Sequence, residues 1–195
     1  MVARYDRPMQ SSRPLVVVVS GAPATGKTTL ARRLAPDVDA RLLSKDGIKE
    51  ALADEIGLPR NVAESSRLGD AAYAALFALL RSAVEAGNAA VVEANFRRGR
   101  SEDELSRALN GVDLRQVHCT AAPERIRTRY HGRTDRHPAH LDRLRIDDVA
   151  ADMAAQQYAP LSLDGPMLVV ETDDGYTPPY DAIRAFVIGV TARTK

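Results

Sequence analysis

Gly21-Ala22-Pro23-Ala24-Thr25-Gly26-Lys27-Thr28 follows the apolar run Leu15 to Val19 and precedes Thr29-Leu30-Ala31-Arg32-Arg33-Leu34. The stretch fits G-x-x-x-x-G-K-[ST], the loop that wraps phosphate groups, and it stands between an expected strand and an expected helix, the context such a match requires. The chemistry explains the residue types. A triphosphate must be surrounded by backbone N–H groups, and only a chain without bulky side chains at its bends closes around it. Gly21 and Gly26 permit those bends. The helix opening near Lys27 aims free N–H groups and its positive dipole end at the phosphates. Lys27 adds a point charge for the β- and γ-phosphates, and the Thr28 hydroxyl is the expected ligand of bound Mg²⁺. Gly21, Ala22, Pro23, Ala24, Thr25, Gly26, Lys27, Thr28 and Thr29 are therefore the expected nucleotide contacts. A Gly-Lys turn with no ligand is the bland alternative, and the complete pattern with its flanks argues against it.

The chain of 195 residues suits one domain, and 45% hydrophobic content is enough to bury a core. With Trp absent and aromatics at 5%, that core must rest on Ala, Val and Leu. Basic and acidic residues nearly balance, 27 against 26, which lacks the overall basic excess of many nucleic-acid binders. The single cysteine, Cys119, excludes a disulfide framework within the chain and reads as a small buried strand residue. No secretory leader pattern and no membrane-length apolar run occurs, so the expected location is cytoplasmic, with no membrane partner.

Met1 to Pro14 lacks periodicity and reads as a flexible arm before a single domain over 15–193. Leu15 to Ser20 is a β-branched run expected of a central parallel strand. A helix follows to about Pro36, then a second strand at Ala40 to Ser44, after which Asp46 is the expected N-cap of a helix starting at Gly47. Glu64 to Gly87 carries a helical pattern with Tyr73, Leu76, Phe77, Leu80 and Val84 on one face. Ala89 to Asn95 reads as a third strand, and Ser101 with Glu104 has the spacing of a capping box. Leu114 to Thr120 is a fourth strand, Pro123 opens a helix, Leu141 to Tyr158 looks helical, and Met167 to Glu171 is a fifth strand before a loop and a closing helix over Tyr180 to Arg193. Alternating strands and helices predict an α/β fold, a mainly parallel five-stranded sheet with helices on both faces.

A phosphate loop alone says only that a nucleoside triphosphate binds. A GTPase needs a guanine-reading N-K-x-D late in the sheet; none occurs, and Ser44-Lys45-Asp46-Gly47 is a poor echo in the wrong place. From the loop and Asp46 directly after Leu42-Leu43-Ser44, the chain resembles the small P-loop kinases that include chloramphenicol phosphotransferase, zeta toxins, gluconate kinase and the 5′-kinase domain of polynucleotide kinases, a group of AAA-type kinases. The resemblance covers roughly Leu15 to Val190. It implies the α/β three-layer sandwich of P-loop NTPases, with the five strands in the order 2-3-1-4-5. It implies ATP and Mg²⁺, and it implies that Asp46 accepts the proton of the substrate hydroxyl. Independently, an Asp at the end of a parallel strand faces the crevice where ligands bind, and a carboxylate there both orients a hydroxyl and takes its proton. A helix N-cap alone would also place an Asp there, and the two roles coexist.

Lys49, one turn on, stands where polynucleotide kinases use Arg and could hold a substrate anion; Lys lacks the bidentate fork of Arg. Glu93 ends the third strand where a metal-holding acid is expected, although the usual residue is Asp. Asn95 and the pair Arg97-Arg98 follow on the same edge, and Asn95 and Arg98 are candidate substrate contacts. Over Pro123 to Arg145 seven arginines (125, 127, 129, 133, 136, 143, 145) face three acids (Glu124, Asp135, Asp142), a local net of +4. The resemblance makes this segment a lid that closes on ATP, where guanidinium groups stabilise the transferring phosphoryl group. Arg129, Arg133 and Arg136 are the candidates; a solvated helix face explains Arg125 and Arg127 equally well. His131, His137 and His140 lack the supporting pattern of a metal site and suit a fixed lid turn. Thr172 and Asp173, in the turn Thr172-Asp173-Asp174-Gly175, stand where related kinases pack against adenine, though turn chemistry alone would place them.

These residues point to an ATP-dependent kinase acting on a hydroxyl of a small molecule, as a monomer or homodimer. A polynucleotide 5′-hydroxyl kinase, with nucleic acid as partner, is the first alternative. An ATP-binding switch that hydrolyses slowly and acts through a protein partner is the second, and it predicts no acceptor pocket beside the phosphates. The acceptor wall is expected from Ile48 to Arg67 and Asn95 to Arg100.

Overall fold

Leu15–Ser20 forms β1, the middle strand of a five-stranded sheet in which every pairing is parallel. On one side stand β3 (Ala90–Glu93) and then β2 (Arg41–Ser44); on the other stand β4 (Asp113–Thr120) and then β5 (Met167–Glu171), giving the order β2-β3-β1-β4-β5. The computed structural model describes residues 13–133, 136–141 and 146–189. Most of the expected N-terminal arm, Arg143 and Arg145 of the arginine segment, and the last residues of the closing helix lie outside the described residues.

The residues of β1 alternate between two cores, which is why the run shows no polar alternation. Leu15, Val17 and Val19 pack with Leu30, Ala31 and Leu34 of α1 (Lys27–Asp37) and with Tyr180, Ile183 and Val187 of α7 (Tyr180–Ile188). Val16 and Val18 face the other way, onto Leu76, Phe77 and Leu80 of α3 (Val62–Glu85) and Leu105 and Ala108 of α4 (Glu102–Ala108). The three expected layers are therefore present, with Cys119 buried in the first core. Parallel registers that bring both Val19 and Ser44 level with Glu93 align the strand ends at one carboxyl edge. At that edge α2 (Lys45–Ile56) leaves β2 directly, while α5 (Pro123–His131) and α6 (Ile146–Ala154) pack through Ile126, Tyr130, Val149 and Met153 onto Ala24 of the phosphate loop. Among the described residues no helix is long and apolar enough to cross a membrane.

Three local expectations change. The N-cap of α2 is Ser44, whose hydroxyl accepts from Gly47 N at 3.4 Å, so Asp46 sits in the first turn with its carboxylate released for other partners. Ser101 stands at the N-cap of α4 without capping it: its Oγ accepts from Arg97 N at 3.1 Å, and Glu104 pairs with Arg107 at 2.8 Å, so no capping box closes. The helix expected over Leu141 to Tyr158 is described as α6 alone, Ile146–Ala154.

Candidate active site

The loop between β1 and α1 is fixed by close packing. A Cβ on Gly21 would lie 2.3 Å from the carbonyl oxygen of Cys119, and the φ of Gly21 is +136°, so only glycine fits where the loop passes over β4. Gly26, at φ 77°, turns the chain into α1. Thr25 Oγ1 donates to Ala22 O at 2.8 Å and Lys27 Nζ donates to the same oxygen at 3.2 Å. Burial lowers the Lys27 ammonium below its ordinary value, and the carboxylates of Glu93 and Asp46 oppose that shift.

Glu93 lies at the end of β3 only 2% exposed. Thr28 Oγ1 donates to its Oε1 at 2.9 Å and Ser44 Oγ to its Oε2, also at 2.9 Å. A buried carboxylate between two hydroxyls, beside a phosphate loop, is an oxygen donor set suited to a hard cation such as Mg²⁺.

On one flank of the loop, Ala24, Gly26, Thr29, Arg129, Gly132, Arg133, Thr172, Gly175 and Tyr176 line a cleft of about 620 Å³. Its far wall is tied down by Thr172, whose hydroxyl donates to Thr25 O at 2.8 Å, and by Arg129, which donates to Thr172 O at 2.5 Å and Asp173 O at 3.1 Å. The Asp173 carboxylate accepts from Ala122 N at 2.9 Å, and Asp174 pairs with Arg125. Arg129 and Asp173 thus fasten α5 to the loop after β5.

On the other flank lies a cleft of about 400 Å³ whose wall includes Pro23, Asp46, Lys49, Tyr73, Asn95, Arg133 and Arg136. Arg133 borders both clefts. Asp46 Oδ1 is 3.2 Å from Lys45 Nζ, and Asp46 Oδ2 accepts from Arg136 at 2.8 Å. Burial raises the Asp46 carboxyl, but Lys45, Arg136 and His140 outweigh it and hold the group well below the usual carboxylate range. Lys45 also lies 5.5 Å from the Tyr73 ring centroid, and burial pushes the Tyr73 phenol above its ordinary value, Asp46 adding to the shift. The Tyr73 hydroxyl donates to Asn95 O at 2.9 Å, while Asn95 Oδ1 is buried with no hydrogen-bond partner. Lys49 Nζ donates to Ser65 Oγ at 2.7 Å. On the far side Arg97 pairs with Asp152, which also accepts from the Tyr158 hydroxyl at 3.2 Å.

The structure therefore brings Asp46, Lys49, Asn95, Arg133 and Arg136 to one cleft and Thr29, Arg129 and Thr172 to the other. Arg98 goes to neither: it is exposed, its backbone N–H donates to Gln157 O at 2.8 Å, and its neighbour Arg97 turns inward. The same hydrogen bond ties the 97–100 turn to the chain that follows α6. Two arginines of the basic segment form exposed surface pairs and line neither cleft, Arg125 with Asp174 and Arg127 with Glu124 at 3.6 Å. The sequence reading placed the start of α3, with Ser65, in the second wall but missed Gly69 and Tyr73 further along that helix, together with Lys45, Asp152 and Tyr158. Small and polar residues spaced four apart at the start of an otherwise apolar helix were the available signal.

A parallel sheet of this order, a phosphate loop on its middle strand and a second cleft beside that loop define a P-loop kinase-like fold. The profile of the AAA domain family matches residues 16–156, and the chain belongs to that family of P-loop kinases. It is similar to a crystal structure of a candidate kinase from Chloroflexus aurantiacus, with 30% identity and a TM-score of 0.81 over 91% of this chain and 98% of that one. A sugar kinase from a Janibacter species shares the fold at 15% identity, with a TM-score of 0.60 over 89% and 94% of the two chains. A cytidylate kinase of Ignicoccus hospitalis is 44% identical over 43 residues, which is 22% of this chain and 25% of that protein. The chain thus spans about a quarter of the curated relative it matches.

Proposed function

We propose that this protein transfers the γ-phosphoryl group of ATP to a hydroxyl of a small molecule. The observation that carries the reading is the pair of clefts that meet at Arg133, one beside Gly26 and Thr29 and the other holding Asp46. A switch acting through a protein partner has no use for the second cleft. The loop amides and Lys27 bind the phosphates of ATP, and Thr28 and Glu93 are the residues that would hold Mg²⁺, which when bound supplies positive charge across the β- and γ-phosphoryl oxygens.

In the second cleft Asp46 accepts a hydrogen bond from the acceptor hydroxyl and orients it. The hydroxyl oxygen forms a bond to the γ-phosphorus as the bond to the bridging oxygen of ADP breaks, and the hydroxyl proton passes to Asp46. A carboxylate held ionised by Lys45 and Arg136 is a weak base, which suits a loose transition state in which positioning and charge outweigh proton abstraction. Arg133 and Arg136 stabilise the charge on the transferred group. Lys49 and Asn95 contact the acceptor, with Arg97 in place of the exposed Arg98. The near balance of basic and acidic residues, 27 against 26, and the fastening of Arg129 to backbone carbonyls favour a small acceptor, so a polynucleotide acceptor is the lesser reading.

The test is transfer of label from γ-labelled ATP to a panel of sugars, polyols, nucleosides and aminocyclitols, with a 5′-hydroxyl oligonucleotide in parallel. Label on a small molecule is the expected result. Label on the oligonucleotide alone supports the polynucleotide reading, and ATP consumption that no hydroxyl compound stimulates overturns both.

A further inference from the structure

Asp46, Glu50 and Asp54 stand four residues apart along α2, so their carboxylates form a row on one face of the helix. The segment 136–140 pairs with that row: Arg136 with Asp46 at 2.8 Å, His140 with Glu50 at 2.9 Å, and His137 with Asp54 at 3.0 Å. Ser65 of α3 adds a bond to Ala139 O at 3.0 Å, and Ala139 is fully buried against Ala53 and Leu68. His137 Nδ1 accepts from Ala139 N at 3.1 Å, so its hydrogen is on Nε2 and goes to Asp54. The side chain of His140 is only 4% exposed, whereas that of Asp54 is 70% exposed, so the Glu50 pair is the firm anchor and the Asp54 pair the rim. Burial lowers the His140 imidazole below its ordinary value, with Asp46 opposing and Arg136 and Lys49 reinforcing the shift.

The basic segment is thus divided. Its first half, α5, is fastened to the loop after β5 through Arg125 and Arg129. Its Arg136 half is fastened to the helices of the acceptor wall.

We propose that His140 and Glu50 are positioning residues for phosphoryl transfer: their contact holds the 136–140 segment on α2 and so sets Arg136 beside Asp46, at the point where the phosphoryl group changes hands. The inference rests on the phosphotransfer reading above. It makes Arg136 part of the acceptor wall, placed by helices α2 and α3 and not by the nucleotide cleft.

Binding of Mg·ADP and of Mg·ADP with aluminium fluoride, a mimic of the transferring group, is measured by calorimetry on the full chain. Wild type is expected to bind the fluoride complex more tightly. Arg136→Ala should remove about a hundredfold of that preference, and Glu50→Ala about tenfold, a coupling within the range for residues in contact, with Mg·ADP affinity unchanged in both. In the Arg136→Ala background Glu50→Ala should cost no further preference, because the pair acts through Arg136. Glu50→Gln keeps an oxygen for the His140 N–H and should retain most of the effect. Should Glu50→Ala melt below the assay temperature, His140→Leu, which keeps bulk but no N–H, carries the same cycle. Equal losses in both backgrounds, or no loss in preference from Glu50→Ala, overturn the proposal. A wild-type protein that does not distinguish the two ligands overturns this proposal and the kinase reading together, whereas distinction without coupling overturns this proposal alone.

Discussion

The two clefts that meet at Arg133 are built from different materials. Around the nucleotide cleft the wall is largely small residues and main chain, with Ala24, Gly26, Gly132 and Gly175 on the lining and Arg129 spent on backbone carbonyls. Around the acceptor cleft the wall is charged and aromatic side chains drawn from α2, α3, the 97–100 turn, the 136–141 segment and α6. Main chain can bind phosphate wherever it bends correctly, so the loop side of the first cleft is set by a short local pattern, while its far wall comes from α5 and the loop after β5. Charged side chains must be brought together by packing, so the second depends on the whole fold.

That contrast can be broken by variants that should touch one cleft alone. Asp46→Asn should lower kcat by about a hundredfold to ten-thousandfold while leaving ATP affinity near wild type, measured with the acceptor that label transfer identifies; unchanged turnover removes Asp46 from the reaction. Gly21→Ala forces a Cβ against the Cys119 carbonyl and should cost about 2–4 kcal/mol of stability, read as a fall in thermal midpoint. Arg129→Ala loosens the tie between α5 and the loop after β5 and should weaken Mg·ADP binding by about tenfold, the loss of one charged hydrogen-bond network, without changing how ATP-saturated enzyme selects among acceptors. A change in acceptor selection would show that the clefts are not separate. In Arg136→Ala one cation fewer opposes the effect of burial on Asp46. Its carboxyl should rise, and the acid limb of the kcat/KM profile should move to higher pH; a limb that stays in place means that another group sets it. The smallest effect is expected at Cys119, 1% exposed and with its thiol pushed up to about 12 by burial. It should resist thiol reagents in the native protein and react once denatured.

The loop side of the first cleft was legible in the sequence because its instructions are contiguous: Leu15 to Val19 reads as a strand buried on both faces, and Gly21 to Thr28 follows at once. The place of Asp46 after the second strand also followed from chain order, whereas the order of the sheet, in which β1 lies between β3 and β4, came only with the family resemblance. The acceptor wall was half legible. Lys49 and Asn95 lie close in sequence to strand ends, but Asp152 and Tyr158 reach Arg97 across more than fifty residues, and no local pattern announces such a contact. The choice of Arg97 over Arg98 depends on Ser101 and Gln157, which hold the turn from both sides. Ser44 and Asp46 are equally good caps by residue type. Ser44 takes that role in the fold, and Asp46 is held instead by Lys45 and Arg136.

Helix α3 runs for 24 residues, a rod of about 36 Å at 1.5 Å per residue. Ser65, Ser66, Gly69, Asp70 and Tyr73 in its early turns border the acceptor cleft, while Leu76 and Leu80 further along cover the sheet. The two stretches overlap at Tyr73 and Phe77, which line the cleft and also pack with Phe96 against the sheet. A change of shape at that overlap is felt by the cleft and by the core together, whereas Ser66 and Asp70, on the cleft and outside the core, can be exchanged at little cost to the packing.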